Sequence, residues 1–364
     1  MTLAERAESA GAALRPVAAA GEPGRVNHPL LAGLARHGLL GEIFRREGDR
    51  YAPTSAMALC RIREGLARHS TEAETAFALQ GLGAYPILLA GTQSTVDQWI
   101  PAIAAGEIAV GFALSEPGAG SDVASLALLA EPDGDDYLLT GEKAFISNAP
   151  DAGVYSVFAR TSDRGARGIT AFAVPADAPG LTGTRQSMVS PHPIGRLTFA
   201  GVRVPASAVL GEIDAGWTVA MRTLDMFRPS VGAFAVGMGQ AALDAAVAHT
   251  ADRQAFGRPL REFQAVSHQL AEVATRLHAA RLLVHDAATA FDAGGRTGHL
   301  SAMAKLFATE TAQQAVDVAI QVHGARALEQ GHLLEHLYRE VRAPRIYEGA
   351  SEIQREIIAR HLYR

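Results

Sequence analysis

Two stretches of helical periodicity enclose a stretch of quite different texture, and that order limits what this chain can fold into more than any other feature. From about residue 27 to 105 apolar residues recur at helical spacing, as at Leu31, Leu34 and Leu39 and again at Ile62 and Leu66, with few β-branched runs. Around residue 110 short segments at 137–140, 154–158 and 169–174 alternate with glycine, proline and aspartate, which predicts the strands of a small sheet or barrel. Segments 197–199 and 202–204 read as its closing strands, and Pro205 ends the pairing because it has no N–H to donate. After about residue 215 the helical texture returns. Amphipathic stretches near 230–252, 263–293, 299–323 and 351–363 predict a bundle. The expectation is a mostly α chain with a central β-domain: a helical domain over 1–110, a β-barrel or sheet domain over 111–222 and a four-helix bundle over 223–364.

The 364 residues are 48% hydrophobic and 20% charged, enough apolar material for a sizeable core. A net charge of -5 gives no global pull toward nucleic acid. Cys60 is the only cysteine, so no intramolecular disulfide can form, and a small buried residue is its simplest reading. The first six residues carry acid early, Arg15 interrupts the alanine-rich stretch that follows, and no apolar run approaches the roughly 18 residues that span a bilayer. These features predict a soluble cytoplasmic protein with no nucleic-acid and no membrane partner. There is no repeat of fixed period, and the alanine richness reads as helix propensity.

Several segments could carry chemistry. Phe112 to Asp122 packs small residues and Pro117 into a turn after a strand, a loop that can bring backbone N–H groups to a flat or anionic ligand. On its own a plain tight turn is the simpler reading, and as a dinucleotide fingerprint it fails for want of a third glycine after Gly118 and Gly120. Gly141 to Asn148 sets Phe145 near Ser147, a pair able to contact one ring system or to face a sheet interior. Asp252 to Leu260 ends one helix and opens the next, with Arg253 available for a phosphate, although a basic helix C-terminus accounts for it too. His332-Leu333-Leu334-Glu335-His336 has the spacing that puts two imidazoles on one helical face. No additional ligand accompanies it, solvated side chains explain it, and no metal is assigned. Near the end, Ser351 and Gln354 fit a capping box, with Ile353, Ile357 and Ile358 as the apolar stripe behind it. Glu348 therefore lies just before a helix, where position alone suits a carboxylate favoured by the macrodipole.

Taken in order, residues 112–122, 141–148, 224–228, 252–264, 321–324 and 346–360 resemble the acyl-CoA dehydrogenase family, over the chain from about residue 70 to its end. The resemblance implies an N-terminal helical domain, a middle β-domain and a C-terminal four-helix bundle, with FAD held partly by a second subunit. It implies cofactor contacts from Phe112, Leu114, Ser115, Gly120, Ser121, Phe145, Ile146 and Ser147. Arg253, Phe256, Phe263 and Gln264 would reach in from the neighbouring subunit, with Gln321 and Gly324 on the adenine side and Ala350 and Glu352 nearby. Ser121, Asp225, Arg228, Tyr347 and Gly349 would meet the substrate, and Glu348 would be the catalytic base. An acyl-CoA or acyl-carrier-protein thioester as substrate, an electron-transfer flavoprotein as acceptor and a homo-oligomer, dimer or tetramer, belong to the same implication.

The chemistry explains those residue types. Dehydrogenation across Cα and Cβ of a thioester needs a base for the weakly acidic α-proton and a hydride acceptor, which no side chain provides and flavin N5 does. A positioned carboxylate contributes roughly 10²- to 10⁴-fold as a general base if burial raises its pKa. In the family the charge growing on the thioester oxygen meets a flavin hydroxyl and the backbone N–H of the base, which Gly349 lets approach. The sequence departs from the family at Ala350, where Thr is usual, at Phe145 for Trp, at Ala325 for Gly and at Glu340 for the Asp after Arg339. Some members carry the base beside the residue matching Arg228; Phe227 stands there, so Glu348 has no rival. Two other readings are an oxidase using oxygen and a non-dehydrogenating flavin-binding relative of the DNA-associated alkylation-response type, against which the acidic balance and Glu348 argue. Glu74 matches the family's acyl-pocket floor; a solvent-exposed side chain is the plainer expectation, and a pocket-facing one would suit an amine-bearing or carrier-bound acyl group.

Overall fold

The computed structural model describes residues 1–52, 54–295 and 297–363. The chain divides into two compact units, one of Met1–Ala13, Ser55–Glu74 and Asp225–Arg364, the other of Leu14–Thr54 and Thr75–Leu224. In chain order it runs α1 (Leu3–Ala19), α2 (His28–Arg36), α3 (Leu40–Ile43), β1 (Arg46–Glu47), β2 (Arg50–Tyr51), α4 (Ala56–Ala67), α5 (Thr71–Ala90) and α6 (Gln93–Ala104). Then come β3 (Val110–Ala113), β4 (Leu129–Asp133), β5 (Asp136–Ser147), β6 (Val154–Arg160), β7 (Ile169–Pro175), β8 (Leu181–Arg185), β9 (Ile194–Pro205) and β10 (Val209–Leu210). The remainder is α7 (Gly216–Asp252), the hairpin β11 (Gln254–Ala255) and β12 (Arg258–Pro259), α8 (Gln264–Asp292), α9 (Gly298–His323), α10 (Leu333–Glu340) and α11 (Ser351–Leu362).

The second unit is built on an eight-stranded sheet, in the order β10-β7-β6-β4-β5-β9-β8 with β3 parallel to β6. In β6 and β7 six consecutive residues are buried, so both faces are covered, which is why their sequences are mostly apolar instead of alternating, with Ser156 and Thr170 the polar residues among the buried six of each. Helix α5 covers part of this sheet: Ser156 donates to the Gly83 carbonyl at 2.7 Å, and a Cβ on Gly83 would meet Val110 at 2.9 Å. Strand β9 alternates buried and exposed positions along the other flank. The two expected closing strands are in fact this one strand. Its pairing with β5 skips Gly201, whose φ of +65° makes a bulge that broke the period in the sequence. Strands β4 and β8 escaped the sequence reading because they are short and mostly exposed, β4 also carrying Pro132, and β10 because it is only two residues long.

In the first unit helices pack closely because small residues line their contacts. A Cβ on Gly232 of α7 would meet Val284 of α8 at 2.7 Å, and one on Gly239 would meet Leu277 at 2.6 Å. Along α9, Ala302, Ala304, Ala308, Ala312, Ala315 and Ala319 are all buried, so alanine here permits close approach as well as supporting the helix. Helix α7 starts near residue 216 instead of 230, because Pro229 inside it reads as a break. It also corrects the expected lack of long apolar runs: an 18-residue window has mean hydropathy 1.4, and 72% of that window is buried within the protein. The first turn of α4 is fixed by Ser55, whose Oγ accepts the Ala58 N–H at 3.1 Å, and by Asp292, which accepts the N–H groups of Ala56 and Met57.

Candidate active site

Glu348 stands in a left-handed turn. Its φ is +50° and that of Gly349 is +92°, a conformation in which only glycine is at ease. A Cβ on Gly349 would lie 2.6 Å from Gln354 Nε2. The turn is tied down by its carbonyls. The Glu348 carbonyl accepts Arg228 Nε at 3.3 Å and Gln354 Nε2 at 3.2 Å, and the Gly349 carbonyl accepts Gln354 Nε2 at 2.7 Å and Lys305 Nζ at 2.6 Å. The expected capping box is therefore wrong: Ala350 is the N-cap and has no side-chain bond, Ser351 donates to Glu310 at 2.7 Å, and Gln354 turns its amide nitrogen to the carbonyls of the turn.

The Glu348 carboxylate is partly buried, and its Oε2 is buried with no hydrogen-bond partner among the described residues. Burial pushes its pKa above the ordinary carboxylate value, while Arg63, Lys305 and Arg228 pull it down. Arg228 pairs with Asp225 at 2.8 Å, so the two predicted substrate residues on α7 meet each other, and burial raises Asp225 despite that pairing. Tyr347 is partly exposed beside the turn.

Glu74 overturns the expectation of an exposed side chain. It is fully buried and ion-paired with Arg63, whose second arm donates to Ser230 at 2.8 Å. A carboxylate already neutralised by a buried guanidinium no longer argues for an amine on the acyl group. His332 and His336 are likewise engaged. His332 Nδ1 accepts the Leu334 N–H as the N-cap of α10, so it is not on the helix face with His336, which lies 2.7 Å from Thr71 Oγ1.

The second unit carries the other predicted set. Lys143, fully buried in β5, donates to the Leu114 carbonyl at 2.9 Å and to Glu116 at 2.8 Å, and the Ala144 N–H donates to the Ser115 carbonyl. Glu116 in turn accepts the N–H groups of Ala127 and Leu128. The loop after β3 is thus stitched to β5, with Ser115 half-buried and Gly120 and Ser121 exposed. Phe145 sits at φ +58° with its ring 55% exposed, its N–H held by Gln186 Oε1 at 3.0 Å. Ser147 is half-buried, but Ile146 points into the sheet core, leaving only its backbone for a ligand. Phe112 packs on Phe158 with ring centroids 5.0 Å apart.

Of the remaining residues, Phe256 projects from the β11/β12 hairpin at φ +51° and is 95% exposed, beside an exposed Arg253. Phe263 is covered by Arg258 at 4.0 Å, next to Gln264 at the start of α8. Gln321 is exposed on the last turn of α9, which Gly324 terminates at φ +68°. Glu352 is exposed and pairs with Arg355 at 3.5 Å. Lys305, Lys143, Gln354 as a clamp, Gln186 and Arg63 were not singled out from sequence. A lone lysine inside the apolar run Ala302 to Ala308 was the available signal, since such a residue is seldom buried without a task.

These residues fit a flat ring system with an anionic tail. Gly118 and Gly120 are required neither by positive φ nor by packing, since a Cβ on either would meet nothing within 4 Å. Phe145 and Phe256 present largely exposed rings from strained backbone, and among the described residues the ring contact of either is that of Phe256 with Phe263 at 6.2 Å.

Family models for the acyl-CoA dehydrogenase N-terminal, middle and C-terminal domains match residues 2–107, 111–202 and 214–363. The chain belongs to the acyl-CoA dehydrogenase family. It is 36% identical to cyclohexane-1-carbonyl-CoA dehydrogenase of Geobacter metallireducens, over 93% of this chain and 90% of that one. It is 36% identical to the caffeyl-CoA reductase-Etf complex subunit CarC of Acetobacterium woodii, over 75% and 73%. Among solved structures, the FAD complex of PigA superposes with a TM-score of 0.91 at 25% identity, covering 99% of this chain and 96% of that one. The chain is an FAD-dependent oxidoreductase that dehydrogenates acyl thioesters at a CH–CH bond.

Proposed function

We propose that Glu348 is the general base that takes the α-proton of the thioester. The observation that carries this is a buried carboxylate oxygen left without a partner, on a turn whose every other polar contact fixes its direction. Burial raises the affinity of that oxygen for a proton, and the three cations keep it ionisable, the pairing a base near neutral pH requires. FAD supplies the acceptor for the β-hydride when bound. Phe145 would lie against its ring, Ser115 near its pyrimidine edge, and Arg253 would hold the pyrophosphate of the neighbouring subunit's FAD.

A coenzyme A thioester as substrate, an electron-transfer flavoprotein as electron acceptor, a homodimer or homotetramer and a cytoplasmic location complete the proposal. The Etf-linked name of the CarC relative supports the acceptor. Anaerobic bleaching of the bound flavin by straight-chain acyl-CoAs, cyclohexane-1-carbonyl-CoA and carrier-protein thioesters identifies the acyl group and its tether. Glu348→Gln should keep FAD and lose bleaching by about 10²- to 10⁴-fold; unchanged bleaching removes Glu348 as the base. Between 4.5 and its raised native value, the folded chain binds more protons at Glu348 than the unfolded one, so its ionisation weakens the fold as pH rises. E348Q should therefore melt at or above the parent's Tm at neutral pH.

A further inference from the structure

We infer that Lys305 is a positioning residue for Glu348, holding the left-handed turn at 348–349 through the Gly349 carbonyl and setting a positive charge beside the base. The inference rests on Glu348 being the base. Lys305 lies fully buried on α9 between Ala302, Ala304 and Ala308. An ammonium there is costly unless something repays it. Among the described residues no carboxylate comes within 4 Å of it. It donates to the Gly349 carbonyl at 2.6 Å, the shortest of the four hydrogen bonds that clamp the turn.

The charged surroundings separate Lys305 from its neighbours. Glu348 feels Arg63 from α4, Arg228 from α7 and Lys305 from α9. Arg63 is paired with Glu74, and Arg228 with Asp225. Among the described residues Lys305 alone of the three has no carboxylate within 4 Å, so its field is the least compensated. Facing Lys305 in turn are Glu348, Arg228, Glu310 on α9 itself and Glu352 on α11. Burial brings the ammonium down to about 8, with Glu348 the strongest influence in the opposite direction.

The test uses the FAD-loaded protein and two substitutions: Lys305→Gln keeps a donor and removes the charge, and Lys305→Met, of similar volume, removes both. Flavin reduction by the fastest thioester of the panel is followed in single turnovers across pH, so that the rate constant is independent of the active fraction. A second readout needs no hydride transfer: acetoacetyl-CoA has an acidic α-proton and an already oxidised β-carbon, so its bound enolate absorbance reports proton abstraction alone. In both variants the acid limb of reduction and the onset of the enolate signal should move to higher pH, by on the order of one unit. In K305M the plateau should fall further than in K305Q, because the Gly349 carbonyl loses the shorter of its two hydrogen bonds and keeps only Gln354. Unmoved limbs in the variants overturn the inference. Failure of both to load FAD also overturns it, since that would place Lys305 in the fold and not at the base. Retained reduction in E348Q sinks the base reading instead, whatever the lysine variants do.

Discussion

The Phe145 segment of the sheet unit, proposed to support the flavin, and the Glu348 turn of the helical unit, proposed to carry the base, use the same three parts. Each has a non-glycine residue forced to positive φ, Phe145 at +58° and Glu348 at +50°. Each has a glutamine that holds it, Gln186 by accepting the Phe145 N–H and Gln354 by donating to the turn carbonyls. Each has a fully buried lysine, lowered to about 8 by burial, that donates to a backbone carbonyl. They differ in what happens to the charge. Lys143 has Glu116 at 2.8 Å, and both Glu116 oxygens are further occupied by backbone N–H groups. Among the described residues Lys305 has no such partner, and Glu348 keeps an oxygen without a hydrogen bond. A satisfied network makes a rigid support, whereas an unsatisfied one leaves a group able to exchange a proton.

The largest effect that separates the two lysines is on stability. Lys143→Met would leave Glu116 buried without its counter-ion, and breaking a buried pair from one side costs about 3–5 kcal/mol. K143M should therefore lower Tm and release the loop at Leu114, with weaker FAD retention. K305M strands no directly paired carboxylate, and the Gly349 carbonyl keeps Gln354. Equal losses of Tm in K143M and K305M would break the comparison. Between about 8 and 10.5 the native chain binds fewer protons at Lys143 than the unfolded one, so this lysine makes stability rise with pH in that window. K143M should lose this share of the rise and keep the share that Lys305, also lowered to about 8, contributes in the same window.

How much of this was legible in the sequence follows the range of the interactions. The α, β, α order was readable because hydrophobic period is local, and the resemblance placed Glu348 because its motif is contiguous. Ser351 and Gln354 misled because a capping box and a carbonyl clamp use the same residues, and only the approach of the Glu348 and Gly349 carbonyls decides between them. Glu74 misled because its partner Arg63 is eleven positions away, across the break between α4 and α5. Lys305 is 44 positions from the carbonyl it holds, and Gln186 is 41 from the N–H it accepts. Such pairings have no period and no spacing, so only the folded chain displays them.

The glycines sharpen the same contrast at an intermediate scale. Gly349→Ala would place a methyl 2.6 Å from Gln354 Nε2 at φ +92°, a strain of about 1–3 kcal/mol that opening the turn would relieve. A base displaced by the order of an ångström loses on the order of 10²-fold in rate. G349A should therefore load FAD normally and reduce it slowly. Gly118→Ala and Gly120→Ala meet no protein atom within 4 Å. They should leave Tm unchanged and act on FAD affinity alone, measured by the flavin retained after dilution. A drop in Tm for these two would mean that the platform loop is held by packing after all.

The smallest effect belongs to Gln186. Gln186→Leu removes the acceptor of the Phe145 N–H but strands little, because that bond lies at an exposed position where water can replace the lost oxygen. The loss of stability should stay below about 1 kcal/mol. The backbone of Phe145 is nevertheless at positive φ, and without Gln186 it is freer to return to an extended conformation that swings the ring away. FAD should then dissociate a few-fold faster while the acid limb of reduction stays where it was, since no charge near Glu348 has changed. Gln354→Leu is the counterpart in the helical unit: it removes two of the four hydrogen bonds on the turn and should slow reduction itself. If Q186L moved the acid limb, or Q354L altered only FAD retention, the division between a support for the cofactor and a clamp on the base would be lost.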